Sequence, residues 1–315
     1  MINFPGFGIG GSSYETLFLN LEKSQYYNGE KVKGNLTITS NKDIVSRAFK
    51  LITEGKEETK ITVSEPYSGS SSSSSSSYSN EQRNVTYTSS NVFFFQDLFD
   101  FLKNNSLIDI KKARDGKDIV IRKGKTDVPF EFIIPDNILS SYNGKNAWIK
   151  YSVKATIDKK MRMDVNSSIN FEVISSQSNN SNFNRPVSVS TFKTNDLVLK
   201  LDLDKSVYNA GNKIRGTINI SKLNPDIDIR GIETILIATE KATASNRIVT
   251  TKMYENKYKI TDWKEKQDCP FEINIPEDVV KSYRGKYSEI IREIKAKIDL
   301  PLSQDLNAVA LIEII

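Results

Sequence analysis

Two stretches of the sequence decide the fold: PFEFIIPDNILSSYNGKNAWIKYSVKATID at Pro129–Asp158 and PFEINIPEDVVKSYRGKYSEIIREIKAKID at Pro270–Asp299. They are identical at 14 of 30 positions and lie 141 residues apart. A second pair, Leu21–Ile38 and Leu203–Ile220, is identical at 8 of 18 positions with an offset of 182 residues. Because the recurring unit is far longer than the period of a solenoid, the pattern indicates a duplicated domain and not a repeat array.

The two offsets indicate the domain organisation. They differ by 41 residues, so the first copy carries about that much extra sequence between its two repeated blocks, in the interval that holds a serine-rich tract. Between the copies, residues 175–194 are polar and short of aliphatic side chains, which is typical of a linker. We therefore expect an N-domain at residues 1–174, a linker at 175–194 and a C-domain at 195–315.

Within each copy the dominant hydrophobic period is two. Every second residue of Ile149–Ile157 is apolar and the intervening ones are polar, which is typical of a half-buried strand. Similar alternation follows Asn28-Gly29 in the first copy and Ala210-Gly211 in the second, where glycine tolerates the positive φ of a turn. The sequence therefore predicts an all-β fold with an immunoglobulin-type β-sandwich in each half.

Composition excludes several classes of protein. Charged residues make up 26% and hydrophobic residues 38% of the chain, as in ordinary globular proteins. The net charge of +5 is spread evenly along the chain and marks no nucleic-acid surface. No stretch approaches the roughly 18 to 20 apolar residues of a membrane span, and residues 1–11 lack the pattern of a secretory signal. We expect a cytoplasmic protein.

The sequence offers no catalytic constellation. It contains no histidine, so Ser-His and Cys-His nucleophile pairs and histidine-based metal sites are excluded. The single cysteine, Cys269, directly precedes Pro270 and has no partner for an internal disulfide. No phosphate-binding loop or dinucleotide fingerprint is present. We expect no enzyme activity, no cofactor and no metal; a carbohydrate-acting sandwich with paired carboxylates is the remaining catalytic alternative.

An ordered set of motifs resembles the arrestin superfamily, with the alpha-arrestin branch nearest. The motifs are the Tyr, Gly-Glu and Val-x-Gly pattern of Tyr26–Gly34, the Pro-Phe-x-Phe-x-x-Pro of Pro129–Pro135, and the run Ser141–Ala155. They span most of residues 21–174 and, more weakly, residues 197–315. The resemblance implies tandem β-sandwich domains and an adaptor that links membrane cargo or receptors to sorting, endocytic or ubiquitin machinery.

Other arrestin-like branches share this architecture, including the retromer subunit and the bacterial sporulation-control proteins. A membrane-associated structural regulator of the sporulation-control type is therefore the alternative function. The sequence contains no Pro-Pro-x-Tyr motif for recruiting ubiquitin ligases. The region 13–21, where visual-type arrestins carry phosphate-sensing lysines, has only Glu15 as a charge. The resemblance does not extend to those two activities.

The serine tract is the first candidate partner-binding segment. Ser70–Ser77 is an unbroken run inside residues 64–90, a composition that buries too little apolar area to offset the entropy of ordering. We expect a mobile loop, in the region of loops that many arrestins insert into partners, with Ser70, Ser71, Ser72 and Tyr78 as contact or phosphorylation residues. A neutral low-complexity expansion is the favoured alternative, because surface loops tolerate insertion.

The aromatic segment 91–104 is the second candidate. Helical spacing places five side chains on one apolar face and predicts a short amphipathic helix in the N-domain: Phe94, Phe95, Leu98, Phe99 and Leu102. Phe94, Phe95 and Phe99 are candidate contacts to a partner or, peripherally, to a membrane. The acidic residues of the segment disfavour anionic lipid, so packing of a helix or strand against the N-domain is the favoured interpretation.

Three basic residues complete the candidates. Lys150 and Lys154 lie on the solvent side of one strand and form a candidate surface for acidic or phosphorylated partners, although an ordinary solvated sheet face explains them as well. Arg292 lies on the apolar phase of Ile290–Ile298, where a buried guanidinium needs a carboxylate. An interdomain polar contact, as arrestins use, is one interpretation. The favoured one is an arginine whose stem carries the charge to solvent.

Overall fold

The computed structural model describes residues 14–66, 82–103, 108–113, 116–159, 163–174, 184–193, 197–222, 224, 226–301 and 303–315. Within these ranges the chain forms four β-sheets and one short helix. The prediction of an all-β fold with a short helix in the first half is confirmed.

Within the described residues of the first half there are eleven strands and the helix. Their bounds are β1 (Glu15–Leu21), β2 (Gln25–Tyr27), β3 (Lys31–Ser40), β4 (Ile44–Pro66), β5 (Gln82–Asp97), α1 (Phe99–Lys103), β6 (Ile108–Ala113), β7 (Gly116–Ile121), β8 (Gly124–Ile133), β9 (Tyr142–Asn143), β10 (Ala147–Lys159) and β11 (Val165–Ile174). Three strands form one sheet in the order β1-β3-β8. The other sheet runs β2-β11-β10-β4-β7-β6, with β5 beside β4 and β9 beside β10.

The second half contains nine strands within its described residues. Their bounds are β12 (Val187–Lys193), β13 (Leu197–Leu203), β14 (Val207–Tyr208), β15 (Lys213–Lys222), β16 (Gly231–Ala244), β17 (Arg247–Ile260), β18 (Asp268–Asn274), β19 (Ser288–Asp299) and β20 (Leu306–Ile314). One sheet has the order β12-β13-β15-β18 and the other β14-β20-β19-β16-β17. The segment expected as a linker thus includes β12, which pairs with β13.

The chain divides into two compact units whose membership does not follow sequence order. The first unit comprises Met1–Lys56, Val92–Ser141 and Ile149–Ser176; the second comprises Glu57–Asn91, Tyr142–Trp148 and Gln177–Ile315. Two pieces of the first copy therefore belong to the same unit as the whole of the second copy. The boundaries expected at residues 174 and 195 stay a prediction.

The core of each unit is built from the alternation seen in the sequence. In β10 the predicted inner face is fully buried, with Ile149, Tyr151, Val153, Ala155 and Ile157 at most 1% exposed. In the second unit, the leucines of β13 alternate in the same way and join a cluster with side chains of β15, β16, β19 and β20. Burying such faces between two sheets is what stabilises a sandwich.

A close approach of a glycine and a phenylalanine connects the two repeated motifs within each copy. Gly34 of β3 pairs with Phe130 of β8, and Gly216 of β15 pairs with Phe271 of β18. A Cβ on Gly34 would lie 2.4 Å from Cζ of Phe130, and one on Gly216 would lie 2.6 Å from Cζ of Phe271. Each ring therefore lies against a strand position that admits only glycine.

The predicted turn glycines are also confirmed. Gly29 has a φ of 77° and Gly211 a φ of 78°, a region in which side chains with a Cβ are strained. Each glycine places the following strand, β3 or β15, next to its neighbour in the three- or four-stranded sheet.

Candidate functional site: the glutamate-capped loops of the second unit

The serine tract itself lies outside the described residues, including Ser70, Ser71, Ser72 and Tyr78. Its flanks are strands, since β4 continues to Pro66 and β5 begins at Gln82. The expectation of a loop over residues 64–90 is therefore wrong for 64–66 and 82–90. These parts of β4 and β5 contain few aliphatic side chains, and polar contacts between the two strands stabilise them instead. In one of these contacts Oη of Tyr87 donates a hydrogen bond of 2.8 Å to Oε1 of Glu65.

The aromatic segment is a strand followed by a helix. β5 runs through Phe94 and Phe95, and α1 begins only at Phe99, so the predicted helix over the whole of residues 91–104 is wrong. The strand ends where Asp97 Oδ1 accepts a hydrogen bond of 2.9 Å from the backbone N–H of Phe99, a local contact that favours a helix start. The Phe94 ring centroid lies 6.4 Å from that of Phe132.

Two leucines of this segment anchor it in the first unit. Leu98 and Leu102 are 1% and 0% exposed, in agreement with the favoured interpretation that the segment packs against the domain. Phe95 is 59% exposed and Phe99 is half-buried. The assignment of Phe94, Phe95 and Phe99 as partner contacts stays a prediction.

The two candidate lysines differ in their surroundings. Both lie in β10, where Lys150 is exposed and Lys154 is half-buried. Lys154 forms an ion pair with Glu54 of β4. Its charge is therefore partly compensated within the first unit, and the role of the two lysines as a basic surface stays a prediction.

Arg292 is buried in β19, with only 2% of its surface exposed. The expectation that its stem carries the charge to solvent is wrong, because the side chain lies on the buried face of β19, between Ile290 and Ile294. Its Nη2 donates a hydrogen bond to the carbonyl oxygen of Val280. Burial lowers the pKa of the guanidinium. The interdomain role of Arg292 stays a prediction.

Glu57 caps a loop of the second copy with a fully buried carboxylate. Its Oε2 accepts a hydrogen bond of 2.9 Å from the backbone N–H of Lys286. Its Oε1 accepts bonds of 3.0 Å from the N–H of Tyr287 and 2.7 Å from Oγ of Ser288. A Cβ on Gly285 would lie 2.3 Å from Oε1 of Glu57. The glycine of the Ser-Tyr-x-Gly-Lys motif thus gives the carboxylate access to the loop.

Glu240 makes the corresponding contacts with the same motif in the first copy and is also fully buried. Its Oε2 accepts hydrogen bonds from Oη of Tyr142 at 2.7 Å and from the N–H of Lys145 at 3.0 Å. Its Oε1 accepts bonds from the N–H of Asn146 at 2.8 Å and from its Nδ2 at 3.0 Å. A Cβ on Gly144 would lie 1.7 Å from Oε2.

Glu57 and Glu240 occupy equivalent positions in the two copies. Each follows an arginine by ten residues, Arg47 and Arg230. Arg47 pairs with Asp158 at 2.6 Å and Arg230 with Asp299 at 2.9 Å, and these two aspartates close the two copies of the repeated block. Each copy therefore supplies a glutamate that caps the Ser-Tyr-x-Gly-Lys loop of the other copy.

Sequence reasoning missed these two glutamates, although a signal was present. Both lie on the inner phase of a strand, where the neighbouring inner residues Thr59 and Ala242 are buried as well. A charged residue on a buried phase needs hydrogen-bonding partners. Its recurrence at the same distance from an arginine in both copies was the sign of a shared structural role.

The tyrosines of the two loops lie together. The ring centroids of Tyr142 and Tyr283 are 5.0 Å apart, and Oη of Tyr283 is 3.0 Å from Oγ of Ser288. Burial raises the pKa of Tyr142, with a further contribution from its hydrogen bond to Glu240. Burial also raises the pKa of Tyr283. Both phenols therefore stay neutral and act as hydrogen-bond donors at physiological pH.

The arrangement fixes loops and offers little for catalysis. Within the described part of the chain, Glu57 and Glu240 form no ion pair, and their oxygens are occupied by backbone, hydroxyl and amide donors. A general acid or base needs to reach a substrate proton, whereas these carboxylates are buried against protein groups. The site is an internal polar clamp.

Tandem sets of two sheets, with long strands and loops held by buried polar contacts, define the class of two-domain β-sandwich proteins. The family model described as arrestin (or S-antigen), N-terminal domain, matches residues 16–180, just over half of the chain. The chain belongs to the arrestin family, whose members are generally non-enzymatic adaptors that bind other proteins.

A search of curated proteins gave no match to the chain. None of the helices within the described ranges has the length and apolarity required to cross a bilayer.

Proposed function

We propose that this chain is a non-enzymatic arrestin-like adaptor or scaffold, nearest to the alpha-arrestin branch, that works in the cytoplasm. It binds membrane cargo, receptors or sorting machinery through protein-protein contacts, and it meets membranes peripherally, where such cargo resides. The observation that carries the proposal is the match of residues 16–180 to the arrestin N-terminal domain.

The outer face of the sheet β1-β3-β8 is the surface we assign to partner binding. Phe18 of β1 is 60% exposed and Ile133 of β8 is 58% exposed. Between these strands the outer side chains are polar, and Lys31 pairs with Glu131 at 3.0 Å. Phe18 is the residue that we assign as the anchor, because exposed aromatic side chains are enriched in protein-protein interfaces.

Proximity crosslinking in native lysate, followed by identification of the captured proteins, tests the proposal. The intact chain is compared with a variant lacking residues 67–81; the deletion stops there because 64–66 and 82–90 belong to strands. Capture of membrane proteins or sorting components by the intact chain supports an adaptor. Loss of the same proteins on deletion places their contact at the serine tract.

A pair of point variants tests the assigned surface. Phe18→Ser removes an exposed ring from the sheet β1-β3-β8, and Phe192→Ser removes one that is 72% exposed on β12 of the second unit. We expect loss of captured partners with Phe18→Ser and retention with Phe192→Ser. An intact chain that captures no protein above background contradicts the adaptor function, and equal capture by both variants contradicts the surface.

A further inference from the structure

The edge strands of the second unit differ in how well they are protected against pairing with other chains. Within the described residues, the sheets of this unit end at β12 and β18 in one case and at β14 and β17 in the other. A free edge strand presents unpaired N–H and C=O groups, and proteins protect such edges by keeping them short or by placing charged residues and proline on them. Three of the four edges have such protection, and β12 does not.

The three protected edges use different means. β14 is only two residues long. β18 contains Pro270, which cannot donate a backbone hydrogen bond, between Asp268 and Glu272. β17 carries five charged residues: Arg247, Lys252, Glu255, Lys257 and Lys259. Two copies of β17 would bring these mostly basic residues together, and like charges on adjacent strands are destabilising.

The strand β12 has the sequence VSVSTFK, without proline and with Lys193, its last residue, as its only charged residue. It hydrogen-bonds to β13 and to no other described strand. Every second N–H and C=O group of β12 therefore points away from the sheet. The side chains of Ser188, Ser190 and Phe192 are exposed, and 72% of Phe192 is accessible. The chain thus leaves an uncharged edge strand and an aromatic ring uncovered.

The sequence of β12 is complementary to itself in an antiparallel pair. Pairing of two copies about Ser190 would oppose Ser188 to Phe192, Val189 to Thr191, and Val187 to Lys193. Each exposed ring would lie beside a small serine, and no two charged residues would be opposed. Val187 and Val189 are partly buried against the core of their own unit, so the pair would continue the inner face of the sheet from one copy to the other.

We propose that β12 is a dimerisation edge, at which two copies of this chain pair antiparallel about a two-fold axis at Ser190. Such a contact uses the same surface of both chains and closes on itself, and two-fold dimers are the commonest symmetric assemblies. The paired sheets form one sheet of eight strands, four from each copy. A dimer presents every other binding surface twice, and two linked sites bind a multivalent partner more tightly than one.

Sedimentation velocity of the full chain over a series of concentrations measures this assembly. One short strand from each chain should bury less than the roughly 1,200 Å² of a stable complex, so we expect a reversible dimer that dissociates on dilution. A chain that stays monomeric up to its solubility limit would overturn the proposal, and so would an assembly that keeps growing beyond a dimer.

Charges placed at the two-fold axis test the register. Because Ser190 is exposed, Ser190→Lys and Ser190→Glu should leave the fold intact, which circular dichroism checks. In either variant alone two like charges would be opposed about 5 Å apart, and the dimer should dissociate about 4-fold to about 300-fold more readily, depending on how much water remains between them. An equal mixture of the two variants should dimerise again, because unlike charges would then be opposed.

Thr250→Lys is the matched control, since it adds the same charge at an exposed position of the edge strand β17. We expect it to dimerise like the wild type. Equal weakening by Ser190→Lys and Thr250→Lys, or a mixture of the two Ser190 variants that stays monomeric, would overturn the proposal. The outcome is independent of the adaptor function, because sedimentation needs no captured partner and the substitutions do not alter the sheet β1-β3-β8.

Discussion

Replacement of Glu57 by glutamine should loosen one loop and leave its counterpart intact. In the native protein Oε1 of Glu57 accepts hydrogen bonds from the N–H of Tyr287 and from Oγ of Ser288, and Oε2 accepts one of 2.9 Å from the N–H of Lys286. Glutamine has nearly the same shape but only one acceptor oxygen. With that oxygen held by Tyr287 and Ser288, the side-chain amide faces the N–H of Lys286, donor against donor.

The expected magnitude follows from one buried donor without a partner. Such a group costs about 1 to 3 kcal/mol, and each 1.4 kcal/mol is a factor of ten in an equilibrium constant. The equilibrium for local opening of the loop at residues 282–288 should therefore rise between about 5-fold and 150-fold.

Amide hydrogen exchange measures this opening residue by residue. In Glu57→Gln we expect faster exchange at Lys286 and Tyr287 and unchanged exchange at Lys145 and Asn146. The matched variant Glu240→Gln should give the reverse pattern, because Glu240 serves the other loop. Equal loosening of both loops in either variant, or of neither, would refute the crosswise capping.

Two further predictions concern the stability of the two sandwiches. Gly34→Ala should lower the free energy of unfolding, measured by urea titration, by about 1 to 3 kcal/mol, because the added Cβ would collide with the Phe130 ring. Gly231→Ala is the control, since no described atom lies within 4 Å of the Cβ it would add. Equal losses of stability in the two variants would be inconsistent with the collision. Glu289→Gln should make the melting temperature depend less steeply on pH in the acidic range. The hydrogen bond from Lys241 lowers the pKa of Glu289 below its ordinary value of 4.5. The ionised carboxylate therefore stabilises the folded state above that pH, and this stabilisation is lost as the pH falls through the lower folded-state pKa. Melting temperatures that fall equally steeply with acid in the wild type and in Glu289→Gln would refute this prediction.

Elements with regular alternation were predictable because their pattern is local. The strand Ile149–Ile157 is one example, since each of its inner side chains is apolar and buried. The turns at Gly29 and Gly211 are another, because positive φ is a property of the single residue. The family resemblance of Tyr26–Gly34 and Pro129–Pro135 lies within the region matched by the arrestin model.

The remaining features depend on partners that are distant in sequence. The flanks of the serine tract read as loop because they lack aliphatic side chains, yet Ser64 and Asn84 are hydrogen-bonded across β4 and β5 at 2.8 Å. The carboxylate of Glu57 has its acceptor capacity filled by residues near 287. The sequence around Arg292 favours an arginine that reaches solvent, and only its burial in the folded sandwich shows that it does not. Local composition carries none of this information.

The crosswise contacts also set an order of events during synthesis. Ser288 is 231 residues downstream of Glu57, so at a translation rate of about 5 to 20 residues per second it leaves the ribosome roughly 10 to 50 seconds later. Throughout that interval the donors that Glu57 uses in the folded protein are missing, and the part of β4 around Glu57 cannot be buried without a large desolvation cost. The first copy therefore emerges from the ribosome before the loop that Glu57 caps has been synthesised. A chain truncated before residue 286 would leave the strand around Glu57 permanently accessible to proteases and chaperones.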